Sequence, residues 1–315
     1  MEKAMPEEPG DGARSGPGRG SRAVRPAPDH LRSHVISYTG YEGQATTRLH
    51  VPSASVSLCL AWEEPILLTP FRARPAQGGD WLSVVVGSRT RAALSETRRQ
   101  GMGIVVDLTP LGAFALLRTP LRHLAQEMTA TDEVIGAGWS ERVTERLATA
   151  TDWATRWEVL DRAIEDRCLT APRPSPVVLE AWSLLRASRG RTRVEELARA
   201  TGCGRRRLEV LFGEQIGLPP KSVARILRFQ HALAHGPAHG MTWAETAARC
   251  GYHDQAHLSR DFRDLTGLTP TGSHTLLTGS PVMERTPVDG RISALSVAPS
   301  GPAAPWVAPT GPVRT

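Results

Sequence analysis

The sequence predicts an α+β chain, in which a small N-terminal β-barrel or sandwich with attached helices precedes an all-α C-terminal domain. Three observations support this fold class. Residues 34–108 contain short segments rich in Val, Leu and Thr, separated by turn signals. Residues 110–169 change to apolar spacings of three and four, which are typical of helices. Residues 194–272 contain one helical pattern written twice, and this repeat organises the C-terminal part.

Six short segments of the N-terminal part have the composition of β-strands. They are His34–Tyr38, Thr46–His50, Ser55–Ala61, Ile66–Thr69, Trp81–Gly87 and Gly103–Leu108. The run at 82–86 is apolar enough for a buried strand. Several strands without helices between them predict a small antiparallel barrel or sandwich.

The helical part of this region begins at Pro110. Two short helices are predicted over 110–128, broken at Pro120, and longer helices over 132–149 and 152–169. The last of them has an apolar stripe, formed by Trp153, Trp157, Leu160, Ile164 and Cys168. Such a stripe packs against the protein's own core or forms a dimer seam, and the sequence leaves both open.

Composition shifts divide the chain. Residues 1–30 and 277–315 are rich in Pro, Gly and small polar residues, and both are predicted to be disordered tails. Residues 31–170 form the first predicted domain. Three alternating prolines at 171–176 indicate an extended linker. Residues 177–276 form the second domain, which begins with a helix at Val177–Ala187.

The repeat in the second domain keeps its spacing almost without change. Its matching positions are Leu197-Ala198, Gly202-Cys203, Leu208, Phe212, Gly217-Leu218 and Pro220 in the first copy, and Thr246-Ala247, Gly251-Tyr252, Leu258, Phe262, Gly267-Leu268 and Pro270 in the second. The offset is 49 residues for the first Ala and Gly and 50 for the later positions. The one extra residue therefore falls between Gly251 and Leu258, where a turn leads into a helix.

Each copy has the anatomy of a helix-turn-helix. A small residue, Ala198 or Ala247, lets two helices approach closely, and a glycine supplies the positive φ that ends the first helix. A second helix follows with apolar residues four apart, and a glycine and a proline end it. A longer helix over 218–235 connects the copies. Two copies are too few for a solenoid, which needs about three or more repeats to bury a core. Whether the repeat serves only packing or also binds DNA is therefore judged from the outward faces of the second helices.

The outward face in the first copy is basic. It carries Arg205, Arg206, Glu209 and Val210, with Arg207 beside them. Three arginines at a helix N-terminus oppose the helix dipole, which prefers anions there. Such an arrangement favours phosphates and guanine edges, which arginine binds through a bidentate fork.

The outward face in the second copy mixes small, amide and basic side chains. It carries Gln255, Ala256, Ser259, Arg260 and Arg263. Glutamine pairs with adenine, small residues meet base edges or a thymine methyl, and the two arginines suit phosphates. Asp254 precedes this helix and is predicted to cap it.

The distribution of charge agrees with a nucleic-acid partner. The chain has a formal net charge of +6 and a pI near 9.7. Residues 172–275 contain fifteen Arg or Lys and nine acids, a surplus of six, so the rest of the chain sums to zero. A basic surplus confined to the repeat domain is stronger support for nucleic-acid binding than the pI alone.

Residues 177–275 resemble the DNA-binding domain of the AraC/XylS family of transcription regulators. The most distinctive matches are Ala247 with Gly251-Tyr252, then Ser259-Arg260-Asp261-Phe262, and Thr266-Gly267-Leu268-Thr269-Pro270. Gly204 and Val210 depart from the family, which often has Ser and Arg there. The resemblance implies a double helix-turn-helix domain whose second helices enter successive major-groove segments. It also implies a cupin-like regulatory domain with dimerising helices at the N-terminus.

The leading hypothesis is a cytoplasmic, sequence-specific DNA-binding transcription regulator, and not an enzyme. Double-stranded promoter DNA is the expected partner, while RNA polymerase, a small-molecule effector and a second copy remain open. An enzyme fused to a DNA-binding domain and a non-specific architectural DNA binder are the alternatives. An alkyl-transfer repair protein would need a reactive-cysteine or zinc site in the N-terminal half, where only Cys59 and Cys168 are found.

No catalytic residue, metal or cofactor is expected. The four cysteines lie far apart without a C-x-x-C pair, which indicates reduced thiols. His231, His235 and His239 lie four apart, but Gly236-Pro237 ends the helix before the third. They are therefore interpreted as solvated helix-end histidines rather than a metal site. No apolar run approaches about 18 residues, so no membrane span is expected.

Overall fold

The computed structural model describes residues 21–43, 45–70, 79–97, 100–136, 138–236, 241–279, 283–285 and 292–297. Across these residues the chain is α+β, as the sequence predicts, with β-strands and four helices in its N-terminal part followed by helices alone up to residue 279. None of the helices among the described residues has the length and apolar character needed to cross a membrane.

The strands form two six-stranded antiparallel sheets. Their bounds are β1 Ser21–Pro26, β2 Val35–Glu42, β3 Thr46–His50, β4 Val56–Ala61, β5 Ile66–Pro70, β6 Gly79–Trp81, β7 Ser83–Val86, β8 Ala93–Thr97, β9 Met102–Leu108, β10 Met128–Ala130, β11 Met283–Arg285 and β12 Ile292–Val297. Sheet 1 has the order β1-β2-β9-β4-β7-β10, and sheet 2 the order β11-β12-β3-β8-β5-β6. All six predicted strands are present, and one of them, the run 81–87, is divided into the two strands β6 and β7.

Strand alternation gives sheet 1 two apolar faces. Cys59 of β4 and Val84 of β7 pack with Ile66 and Leu68 of β5, which belongs to sheet 2. The intervening residues, such as Leu58 and Val85, point the other way into a core shared with the helices. Sheet 1 is therefore the middle of three layers, between sheet 2 and the helices of the N-terminal part.

Eleven α-helices lie among the described residues. They are α1 Pro110–Leu117, α2 Thr131–Ile135, α3 Trp139–Thr149, α4 Trp153–Cys168, α5 Pro176–Ala187, α6 Val194–Ala200, α7 Arg205–Gln215, α8 Pro220–His235, α9 Trp243–Arg249, α10 Gln255–Thr266 and α11 Pro270–Gly279. Helices α1, α3 and α4 cover sheet 1. In α4, Leu160 and Ile164 are fully buried in this core, so the stripe packs internally, as the first of its two interpretations expects.

Helices α5 to α11 share a separate core that also takes in residues from the N-terminal part. Val51 and Ala54, from the loop between β3 and β4, are almost fully buried within it. Gln230 Nε2 of α8 donates a hydrogen bond of 2.8 Å to Pro52 O, and the backbone N–H of Ala92 donates to Leu265 O at 3.1 Å. The two parts of the chain are therefore packed together, beyond their connection through the linker.

The predicted tails need correction where they are described. Within 1–30, Ser21–Pro26 is a strand that pairs with β2 along its whole length. Within 277–315, α11 continues to Gly279 and β12 pairs with β3, which returns the end of the chain to sheet 2. The other residues of both predicted tails, 1–20 and most of 280–315, lie outside the described residues.

Two predicted helices also differ from the structure. The helix expected over 132–149 is two helices, because Gly136 and Gly138 adopt positive φ values of 105° and 77° between α2 and α3. After Pro120 the expected helix is only a 3₁₀ turn at Leu121–His123, followed by β10. The four cysteines are free thiols, as expected from their spacing.

Candidate nucleic-acid interface

The two sequence copies fold into two helix-turn-helix units. Helices α6 and α7 form the first unit, α9 and α10 the second, and α8 connects them. The glycines that the repeat places at the ends of these helices all have positive φ, with values of 60° at Gly202, 90° at Gly217, 78° at Gly251 and 73° at Gly267. Glycine adopts this region without the steric cost of a Cβ, so these positions explain why the spacing repeats.

The apolar faces of α7 and α10 lie in one core, as predicted. The side chains of Leu208, Phe212, Leu258 and Phe262 are fully buried. The Phe262 ring packs edge-on against Phe229 of α8, with ring centroids 4.8 Å apart. Because α8 belongs to the same core, it holds both units on one rigid element.

The extra residue of the second copy lies in its turn. The N-cap of α10 is Asp254, three residues after Gly251, whereas the N-cap of α7 is Gly204, two residues after Gly202. The Asp254 carboxylate accepts a hydrogen bond of 2.6 Å from the backbone N–H of His257, confirming the predicted cap. This hydrogen bond lowers the pKa of Asp254. Gly204 has no side chain to cap α7.

The basic face of α7 is exposed at all three arginines. Arg205 is held by two ion pairs of 3.1 Å, one with Glu195 of α6 and one with Glu209 on the next turn of α7. The hydrogen bond that Arg205 donates to Glu209, followed by the charges of Glu209 and Glu195, raises the pKa of Arg205. Among the described residues, Arg206 and Arg207 have no such acidic partner, so their charges face solvent.

The polar face of α10 is open to solvent. Gln255, Ala256, Arg260 and Arg263 are exposed, and Ser259 is half-buried between them. Ala256, Ser259, Arg260 and Arg263 share one side of α10, opposite Leu258 and Phe262, and Gln255 is exposed at the first position of the helix. Together with α7, the structure thus presents all nine predicted contact residues on the outer sides of the two second helices.

An ion-pair cluster that the sequence analysis missed fixes α10 to α8. Arg225 Nε lies 2.7 Å from Asp261 Oδ1, and its Nη2 lies 2.7 Å from Asp264 Oδ2. The Asp261 side chain is only 8% exposed. The available signal was the position of Asp261 in the 258, 262 and 265 spacing, because an acid on an apolar helix face needs a buried partner.

The histidines of α8 form no metal site in the structure. Of the three, His239 lies outside the described residues, and no cluster of three metal-ligating side chains occurs in the part of the chain that the structure describes. The interpretation of His231 as a solvated histidine is wrong. It lies half-buried with Nε2 2.6 Å from Arg189 Nη1, and burial, followed by His235 and Arg189, lowers its pKa to about 4.

Similar proteins point to one family. A family model described as a helix-turn-helix domain matches residues 197–273. A transcriptional regulator with an AraC-type DNA-binding domain from Chromobacterium violaceum is 25% identical, covering 34% of this chain and 96% of that chain, with a TM-score of 0.31. A probable AraC family transcriptional regulator from Rhodopseudomonas palustris is 30% identical, covering 32% of this chain and 96% of that chain, with a TM-score of 0.29.

A likeness that extends over more of the chain is weak. ToxT from Vibrio cholerae covers 75% of this chain and 98% of its own, at 9% identity and a TM-score of 0.41. No curated protein shows significant similarity to the chain. The matched helix-turn-helix domain is of the AraC type, and the chain is an AraC-type DNA-binding transcription regulator.

Proposed function

We propose that this regulator binds specific promoter sites on double-stranded DNA through the exposed faces of α7 and α10. One observation carries the proposal. In both units the apolar face of the second helix is buried in a common core, while the opposite face presents basic and polar side chains to solvent. The major groove of B-DNA admits an α-helix, and its base edges offer the hydrogen-bond partners that such side chains read.

The first unit is proposed to bind mainly phosphates. Helix α7 begins at Gly204 without a side-chain cap, so its first backbone N–H groups remain available for an anion. Arg206 and Arg207 add two charges without acidic partners beside this helix end. Arg205 and Glu209 are hydrogen-bonded to each other. We therefore assign both residues to the edge of the interface, beside Arg206 and Arg207.

The second unit is proposed to read bases. The Asp254 carboxylate already accepts from the His257 N–H and places a negative charge at the N-terminus of α10, which disfavours an anionic phosphate there. Gln255 is suited to adenine, and Ala256 and Ser259 leave room for a base edge or a thymine methyl. Arg260 and Arg263 are assigned to phosphates on either side of that contact.

The N-terminal part is proposed to be the regulatory domain, over 31–170, joined through 171–176 to the DNA-binding domain at 177–276. Its support is that sheets 1 and 2 and helices α1 to α4 have hydrophobic cores of their own, distinct from the core of helices α5 to α11 that Val51 and Ala54 join. An effector, a second copy and RNA polymerase are the partners proposed for it.

Selection from a genomic fragment pool at fixed salt tests the proposed specificity. The full chain is expected to enrich a few promoter fragments far above bulk DNA, because specific sites bind roughly 10³–10⁷ times more tightly than non-specific DNA. Uniform recovery of all fragments would favour the architectural alternative. Fragments enriched equally by a variant that lacks the α10 contacts, Gln255→Ala with Ser259→Ala, would contradict the assigned interface.

A further inference from the structure

A basic groove lies on the helical layer of the N-terminal part, away from α7 and α10. The groove is an open space of about 420 Å³ that lies between α3, α4 and the C-terminal end of α1. We call it the arginine groove, and its lining residues are Arg118, Trp139, Arg142, Val143, Arg146, Ala163, Asp166 and Arg167. Four arginines face one acid, although the residues outside 172–275, to which the groove belongs, sum to zero charge.

Two of these arginines are fixed by backbone carbonyls rather than by acids. Arg118 Nη2 donates to Arg167 O at 2.7 Å and to Thr170 Oγ1 at 2.6 Å. Arg167 donates to Leu116 O at 2.7 Å through Nε and to Ile135 O at 3.1 Å through Nη2. Arg118 also holds a left-handed backbone, with a φ of 55°, which a non-glycine residue adopts at a cost. Their guanidinium groups are therefore preorganised.

The other two arginines are exposed on one side of α3. Arg142 and Arg146 lie four residues apart, and no described carboxylate lies within ion-pair distance of either. The floor between the four is apolar, since Val143 and Ala163 are buried there beside the half-buried Trp139. Burial, followed by the neighbouring charge of Arg118, lowers the pKa of Arg167. An anion bound in the groove would oppose this effect, because it favours the charged form of the guanidinium.

We infer that the arginine groove binds a small organic anion, in which a carboxylate or phosphate is joined to an apolar body. Guanidinium groups pair with either anion through two parallel hydrogen bonds. The apolar floor accounts for the rest of the ligand, and the volume lies in the range of small-molecule sites. The inference goes beyond DNA binding and does not depend on it.

The space between the two sheets does not offer an equivalent site. The cavity there, beside His50, Cys59 and Arg89, has a volume of about 30 Å³, which is room for water only. The side chains that line it are buried or half-buried, and desolvation lowers the pKa of His50 well below its usual value. Of these two spaces in the described part of the chain, the one with room for an apolar body is the arginine groove, whose Arg118 contacts Thr170 just before the linker.

Calorimetric titration of the full chain with phenyl phosphate, benzoate and inorganic phosphate tests the inference. Phenyl phosphate or benzoate is expected to bind with a Kd below about 1 mM, and inorganic phosphate at least roughly tenfold more weakly, because it lacks the apolar body. Arg142→Gln with Arg146→Gln should weaken binding at least about tenfold, since both charges are removed from an exposed face. Arg162→Gln, on the exposed side of α4, is the matched control.

Three results would overturn the inference. One is the absence of binding by both aromatic anions, and another is unchanged binding by the double variant. The third is inorganic phosphate binding as tightly as phenyl phosphate, together with displacement by random duplex DNA, which would make the groove a DNA backbone contact. Promoter binding by the double variant is measured in parallel and should equal that of the unsubstituted chain, so failure here leaves the proposed DNA interface standing.

Discussion

Arg260 and Gln255 are both exposed on α10, yet they should affect DNA binding differently. Replacing Arg260 with Ala removes a phosphate contact, so specific and non-specific affinity should both fall and the salt slope should flatten by roughly 1. Replacing Gln255 with Ala should lower only specific affinity, by about 1–3 kcal/mol. Fluorescence anisotropy between about 50 and 200 mM salt measures both, with Arg162→Ala as control. An unchanged slope in Arg260→Ala would refute the phosphate role.

His231 should make the stability of the chain depend on pH. Its pKa falls from an ordinary value of 6.5 to about 4 on folding, mainly through burial and then through His235 and Arg189. Between these values the unfolded chain binds a proton that the folded chain does not, so stability falls as pH falls through this window. His231→Gln should therefore show a smaller loss of Tm between about pH 7.5 and pH 5. An equal loss in both proteins, judged against exposed His30→Gln, would contradict this assignment.

Single residues of the interface were largely predictable because the repeat fixes their helical phase. Once Leu208 and Leu258 are placed inward, the spacing of an α-helix places Arg206 and Ala256 outward, because each lies two residues before the buried leucine. Contacts between elements were not predictable in the same way. The ion pair of Arg205 with Glu195 joins two residues that are ten positions apart and lie on different helices. The angle between these helices decides whether the two side chains meet.

The two second helices begin with different caps, which should be visible in stability. Asp254→Ala removes the carboxylate that accepts from His257, and should cost about 1 kcal/mol. Gly204 has an extended backbone, with φ −60° and ψ 142°, and open space around a Cβ. Gly204→Ser should therefore stabilise the chain by roughly 0.5 kcal/mol, through a new cap and a less flexible unfolded chain. Urea unfolding measures both, and a loss of stability in Gly204→Ser would count against an open α7 terminus.

The repeated glycines share a backbone conformation but differ in their surroundings. Gly202 has a φ of 60° and open space for a Cβ, so Gly202→Ala should cost only about 1 kcal/mol of backbone strain. At Gly217, with a φ of 90°, a Cβ would lie 2.7 Å from Ser88 Oγ and 3.2 Å from Leu121 O. Gly217→Ala should therefore cost roughly 2–3 kcal/mol in urea unfolding, because overpacking adds to the strain. An equal loss of stability in Gly202→Ala and Gly217→Ala would show that Ser88 and Leu121 move aside at little cost to make room for the new Cβ.

Strands were predictable where apolar residues dominate and not where polar residues face inward. In β8 the buried positions include Ser95 and Thr97, so the two-residue alternation is present without an apolar signal. The strand β1 contains arginines and a proline, which resemble a disordered tail, and it is held as an edge strand by pairing with β2 alone. Both strands depend on partners distant in sequence, which local composition does not reveal.

At the scale of the whole molecule, the sequence predicts two domains but not how they meet. The linker at 171–176 suggests independent units. In the structure, however, Arg122 of the 3₁₀ turn pairs with Glu214 of α7 at 3.2 Å, and Ala92 is hydrogen-bonded to the end of α10. The N-terminal part thus touches both second helices near their C-terminal ends. No local sequence pattern predicts such a surface. Its residues lie in loops and at helix ends, and their spacing does not distinguish them from residues that face solvent.

This shared packing predicts that the two parts unfold together. Val51 is 2% exposed inside the helical core, and next to it Pro52 O accepts from the buried Gln230. The unsubstituted chain should show one calorimetric transition. Val51→Ala with Gln230→Met should cost about 2–3 kcal/mol at the contact and separate the transition into two. Val24→Ala, on the exposed side of β1, is the control. Two transitions in the unsubstituted chain, or a double variant whose midpoint stays within about 1 °C, would contradict the coupling.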